Sequence, residues 1–184
     1  DYVNPMLGTA TLWDSVDLGF KPTKRTWGAE VFPGSSLPNA MVQVSPVTKF
    51  HSGAGYQYED SVIYGFTHTN KGHWNLCHIP LLPVTGTPTP GDYCSPFSHE
   101  RESAAPGYYQ VFLDRYGVDA QLSSTLRCAF HKYTYPAGAA ASLLADLQRS
   151  NEHVRAWDIR KEGDNVFAGW QQTGEKMYLS LIHI

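Results

Sequence analysis

The sequence predicts an all-β chain folded as an antiparallel β-sandwich. Three observations predict it. Clusters of Gly, Pro, Asn and Asp punctuate the chain at intervals of roughly ten residues. Several stretches between them alternate apolar and polar positions, as strands with one buried face do. No stretch carries a long helical period, and aromatic residues, which favour strands, make up 13% of the chain.

The elements follow in order. Asn4-Pro5 and Gly8-Thr9 are turn signals. Pro33-Gly34 suits a type II turn, in which the glycine supplies a positive φ. It leads into an alternating strand over 41–46, where Val42 and Val44 share a face. Gly53-Ala54-Gly55 breaks the chain, 56–58 is short and extended, and 62–66 is a strand. The apolar run 79–84 carries prolines, which predicts an edge strand. Residues 85–107 read as loop. Strands follow at 108–113, 118–122, 125–135 and 142–147. A hairpin joins 154–161 to 166–172 through a turn at 162–165. Residues 176–178 start a strand. The last six, Leu-Ser-Leu-Ile-His-Ile, resemble a translated sequencing adaptor, so the expected domain is 1–178 with a non-native tail at 179–184. That expectation makes the domain incomplete, and Asp1 reads as a processed or truncated start.

Composition narrows the function. A net charge of −3 gives no general electrostatic case for nucleic acid. No run of about 18 apolar residues exists to span a membrane. Cys77, Cys94 and Cys128 stand 17 and 34 residues apart, which matches no zinc motif. One disulfide or three free thiols are both compatible with that spacing.

The densest chemistry lies in 63–83. Three of the eight histidines (His68, His73 and His78), Trp74, Cys77 and two asparagines fall between two strand-like ends. A plain connection needs Gly, Asn or Pro, but not this concentration of ring and amide groups. Trp27 and Trp74 are expected in Gly-flanked loops, where an indole can lie against the apolar face of a sugar. His73 and Asn75 beside Trp74 can reach hydroxyls. Trp13, Trp157 and Trp170 are assigned to closing the ends of the sandwich. The expected substrate-binding residues are therefore His73, Trp74, Asn75, Cys77, His68 and Trp27.

Other chemistries find less support. The histidines recur every five residues, a spacing that shares no helix face, and no HExxH is present. Cys77 between His73 and His78 hints at a thiolate pair, but a small buried thiol explains it as well. There is no G-x-S-x-G, no P-loop and no GxGxxG. Glycoside hydrolysis needs two carboxyl groups on opposite sides of a sugar. The best local cluster, Glu100 and Glu102, reads as a solvated turn, so no catalytic residue is assigned in this chain and the metal ligands are unknown.

Seven stretches then match one family in order: Val3-Asn4-Pro5-Met6-Leu7-Gly8-Thr9, Phe32-Pro33-Gly34, Met41-Val42-Gln43-Val44-Ser45-Pro46, Gly55-Tyr56-Gln57-Tyr58, Ile63-Tyr64-Gly65-Phe66-Thr67-His68-Thr69, Phe97-Ser98-His99-Glu100 and Ala105-Pro106-Gly107-Tyr108-Tyr109. They resemble the N-terminal domain of glycoside hydrolase family 92, the exo-acting α-mannosidases. The resemblance implies a secreted, periplasmic or cell-surface enzyme in which a β-sandwich packs on an (α/α)6 domain. It implies calcium as cofactor, an inverting mechanism, a mannose-containing glycan as partner, and a catalytic acid and base outside this chain. By position, residues 67–78 would form the mannose-facing edge. Family members commonly carry a Ser-Gly-Thr-Gly-like run where this chain has 70–78, which leaves the linkage, or a phosphorylated substrate, open. The alternative reading is a stand-alone carbohydrate-binding module.

Overall fold

The computed structural model describes residues 3–12, 19, 27–28, 31–71, 74–174 and 178–183, and it is built from antiparallel strands. Two sheets face each other. One has five strands in the order Ala141–Ala145, Leu81–Thr85, Gly65–Thr67, Gln43–Val47, Ser35–Ser36. The other is a four-stranded meander of Glu102–Ala105, Tyr108–Leu113, Val118–Ser124 and Ala129–Thr134.

Alternation explains how they close. In Tyr108–Leu113 every second residue is buried, so Tyr109, Val111 and Leu113 point inward. Val118, Ala120 and Leu122 do the same one strand over. They meet Val44, Phe66, Leu82 and Val84 of the five-stranded sheet in one core. Phe66 packs edge-on against Tyr109, with ring centres 6.5 Å apart. A buried contact of 2.7 Å between the Ser35 and Ser124 hydroxyls ties the sheets at one margin. A third sheet joins Val154–Gly163, Val166–Thr173 and Tyr178–His183, so the backbone of the stretch set apart as a tail pairs with the hairpin.

Several sequence expectations need correction. The strand at Leu81–Thr85 is not at an edge, because Ala141–Ala145 and Gly65–Thr67 flank it. Pro83 is tolerated there because the shorter neighbour pairs with it only at Phe66↔Leu81, leaving that side open beyond. Residues 85–107 are not all loop. They contain Ser95–Pro96, which pairs with Val62–Ile63, a 3-10 turn at His99–Arg101, and the strand Glu102–Ala105. The strand expected over 125–135 begins at Ala129, because the Thr125 hydroxyl accepts from the Cys128 amide and closes a turn first. Gly34 does not have a positive φ. It is glycine for want of space, since a Cβ there would sit 1.8 Å from the Val44 carbonyl oxygen. Trp157 closes no sandwich end, as it is 43% exposed on the outer hairpin. Trp13 lies outside the described residues.

Candidate functional site

The stretch after Thr67 folds as a small hairpin. Asn70–Lys71 pairs with Trp74–Asn75, in the register Asn70↔Asn75 and Lys71↔Trp74. Gly72 and His73, which connect them, lie outside the described residues. So Trp74 belongs to a two-residue strand, as does Trp27, which pairs with Leu12; neither is in a loop as expected.

Asn75 locks the hairpin onto the body. Its side-chain oxygen accepts from the Thr67 hydroxyl (3.1 Å) and from the Cys77 amide (2.8 Å). Its backbone N–H donates to Gly53 (2.8 Å), and its carbonyl accepts from the Asn151 side chain (2.7 Å). Gly55 makes room for it, because a Cβ there would stand 2.6 Å from its amide nitrogen. Asn75 is therefore buried and positions the hairpin; it is not presented to a ligand as expected.

Cys77 also turns inward and is fully buried. Burial pushes its thiol up to about 12, so it is neither a thiolate nucleophile nor a surface contact, which corrects its assignment as a binding residue. The backbone around it is unusual. Cys77 and Ile79 both have positive φ, 51° and 44°, a region costly for side chains and most of all for a β-branched one. The two kinks aim His78 into the interior. There its Nε2 lies 3.2 Å from the Thr173 hydroxyl, which donates in turn to Glu152. That order makes Nε2 the protonated nitrogen of His78. Burial lowers its pKa, against the opposing pull of Glu152.

His68 meets a partner that the sequence reading missed. Its Nε2 lies 2.7 Å from His131 Nε2, so one nitrogen donates and the other is bare. His131 Nδ1 then lies 2.6 Å from the Tyr133 hydroxyl. Desolvation holds both imidazoles neutral, with His68 pushed down to about 4 and His131 to about 3. They serve as hydrogen-bonding groups, not as acids near neutral pH. The alternation of Ala129–Thr134, carried on to Tyr135, could have flagged His131 and Tyr133 as sharing the inner face.

The site residues thus divide. Trp74 is 45% exposed on the hairpin. Asn75, Cys77 and His78 form its buried base, and His68 faces His131. His73 and the Trp27 side chain lie outside the described residues. Among the described residues, six buried side-chain polar atoms lack a hydrogen-bond partner, and five belong to 68–78: His68 Nδ1, Thr69 Oγ1, Asn70 Oδ1, Asn75 Nδ2 and His78 Nδ1. Each such atom costs about 1–3 kcal/mol. They are concentrated in one segment, beside the positive-φ residues Cys77 and Ile79.

Sequence reasoning also misplaced Glu102. Its carboxylate is buried, not in a solvated turn. It accepts from the hydroxyls of Tyr109 (2.6 Å) and Tyr56 (3.0 Å), and His99 Nδ1 lies 2.5 Å away. Burial, then the Glu102 charge, drives both tyrosine pKa values up. Among the described residues, no group of three or more His, Cys, Asp or Glu is placed to hold a metal ion. The neutral imidazoles of the lip do not suit calcium, which takes oxygen donors.

The chain is thus an antiparallel sandwich with a small hairpin after Thr67 and two left-handed residues just beyond it. The chain is a member of the glycosyl hydrolase family 92 N-terminal domain family, whose model matches residues 2–180. The solved structure of the family GH92 alpha-mannosidase BT3965 from Bacteroides thetaiotaomicron, in complex with mannoimidazole, is 28% identical with a TM-score of 0.82, and the match covers 100% of this chain and 24% of that one. The GH92 glycosyl hydrolase ccman5 is 25% identical with a TM-score of 0.72, covering 98% of this chain and 25% of that one. The inverting mannosidase BT2199 from Bacteroides thetaiotaomicron, at 20% identity and a TM-score of 0.68, shares the fold over 100% of this chain and 28% of its own. The chain thus spans about a quarter of the length of these structures. No curated protein matches.

Proposed function

We propose that this chain is the sandwich domain of an exo-acting α-mannosidase, in which residues 67–78 form one wall of the mannoside site. The observation that carries the reading is the family match over 2–180. The exposed Trp74 indole gives a sugar a flat apolar face, and His73 beside it supplies a hydrogen bond. The proton transfers belong to an acid and a base on an (α/α)6 domain. Calcium binding, inversion of the anomeric centre and a secreted or periplasmic location come with the family resemblance. The calcium ligands lie outside the groups described above. The outer hairpin supports a docked neighbour, since Trp157, Ile159 and Phe167 are exposed on one face by register.

The test is hydrolysis of an aryl α-mannoside by the full-length protein, with calcium and with a chelator. Activity that needs the metal is expected; no activity, or activity indifferent to chelation, overturns the proposal. Trp74→Ala lowers kcat/KM by about tenfold or more if the indole contacts substrate, and an unchanged value refutes that role. A stand-alone binding module is the rival reading, favoured by the exposure of Trp74. Calorimetry of residues 1–178 with mannobiose separates the two, because only a module binds without the second domain.

A further inference from the structure

The mannoside reading leaves a second feature unused. A cavity of about 390 Å³ opens between the 48–51 segment, Tyr64, and the turn carrying Arg149 and Ser150. That volume falls within the range of small-molecule sites. The chain is acidic overall, yet the cavity lining holds Lys49 and Arg149 and not one carboxylate.

Arg149 is held in place, while Lys49 is exposed at the rim. The Arg149 guanidinium lies over three rings, 4.9 Å from the centre of Phe50, 5.5 Å from Tyr93 and 5.6 Å from Tyr64. Its carboxylate neighbour is Asp146, whose Oδ2 stands 3.9 Å from Nε, a long contact. Asp146 is already engaged, accepting from the Tyr93 hydroxyl and the Gln148 amide. Among the described residues nothing accepts from the two outer nitrogens of Arg149, the fork that grips carboxylates and phosphates. The segment opposite is fixed as well. The Thr48 amide donates to Gly55 (2.8 Å) and its hydroxyl to Asp60 (2.8 Å). The His51 amide donates to the Asn151 side chain (2.7 Å), which holds His51 at a φ of 61°. The Ser150 hydroxyl donates to the Glu152 carbonyl, which leaves Arg149 and Lys49 as donors and the His51 ring and the Tyr64 hydroxyl as groups that can donate.

We infer that this pocket binds a small oxyanion, the phosphate or sulfate group of a free ion or of a substituted saccharide. The planar fork of Arg149 takes two of its oxygens, and Lys49 balances the remaining charge across the opening. The inference stands apart from the mannosidase proposal and needs no hydrolysis to test.

Binding is measured on the full chain by calorimetry and by the rise in melting temperature. The probes are inorganic phosphate, inorganic sulfate and glucose 6-phosphate, each against sodium chloride at matched ionic strength. Saturable binding is expected for at least one oxyanion, weakened about tenfold in Arg149→Gln and several-fold in Lys49→Gln, the size of a lost charge-assisted contact. Glucose 6-phosphate binding tighter than phosphate assigns the pocket to a substituted sugar, and equal binding assigns it to the free ion. If Arg149→Gln fails to fold by circular dichroism, Lys49→Gln decides alone, because Lys49 is exposed. The inference is overturned if no oxyanion binds beyond the chloride control, or if Lys49→Gln binds as the parent does.

Discussion

Removing the Glu102 carboxylate should cost this domain a large part of its stability. Glu102→Ala leaves the hydroxyl of the fully buried Tyr109 without its acceptor, and does the same to that of Tyr56, 2% exposed. It also strips His99 Nδ1 of its partner. An unsatisfied buried polar group costs about 1–3 kcal/mol. The His99 side chain is 32% exposed, so water restores part of its loss, and the two tyrosines dominate. The expected destabilisation is about 4 kcal/mol, set against a total of about 5–15 kcal/mol for a folded domain. For a chain of this length that lowers the melting temperature by about 8–16 °C.

Glu102→Gln is the discriminating partner. The Tyr58 carbonyl can only accept, so His99 Nε2, 2.6 Å away, carries a proton. With that proton on Nε2, Nδ1 can accept from the glutamine amide, whose oxygen still accepts from both tyrosines. The loss should shrink to about 1–2 kcal/mol, the difference between charged and neutral hydrogen bonds. Urea and thermal unfolding followed by circular dichroism read both variants. The reasoning is refuted if the alanine variant stays within about 1 kcal/mol of the parent, or if glutamine costs as much as alanine.

Two further outcomes follow from the geometry. Gly34→Ala forces a Cβ into the Val44 carbonyl and must open the Ser35↔Val44 pairing, for about 2–4 kcal/mol by urea titration; a change under about 0.5 kcal/mol contradicts the packing. The depressed histidines set a pH dependence. Between about pH 6.5 and about pH 4 the unfolded chain takes up protons that His68 and His131 refuse when folded, so stability is complete above that window and falls as pH drops through it. His131→Phe should flatten the slope of urea midpoint against pH, and an unchanged slope would show that other groups carry it.

Much of the sandwich was legible because one face of a strand must be apolar. Tyr108–Leu113 and 118–122 announced their inner faces by period two, and Asp164-Asn165 marked the turn of the outer hairpin. What stayed hidden depended on partners distant in sequence. Glu102–Ala105 reads Glu-Ser-Ala-Ala, with no β-branched or aromatic residue, and is a strand because Tyr108–Leu113 pairs with it. Pro83 argued for an edge, but the shortness of Gly65–Thr67 leaves room for it inside the sheet. At the candidate site the concentration of rings and amides in 63–83 was visible, while the direction of each side chain was not. Two left-handed residues at 77 and 79 decide that His78 and Cys77 turn inward, and no local rule predicts a positive φ for cysteine or isoleucine.

The resolved pKa shifts of the lip and its base point one way. His68, His78 and His131 are held neutral, and the Cys77 thiol is held protonated, each first by burial. Groups kept uncharged by desolvation are poor at moving protons near neutral pH, but they keep a fixed pattern of donors and acceptors across that range. The Lys49–Arg149 pocket has the opposite character, with two cations and no lining acid. Asn151 joins the two, donating its side-chain amide to Asn75 at the lip while accepting from His51 at the pocket. The pocket and the hairpin therefore share one residue, so a substitution at Asn151 removes a hydrogen bond from each.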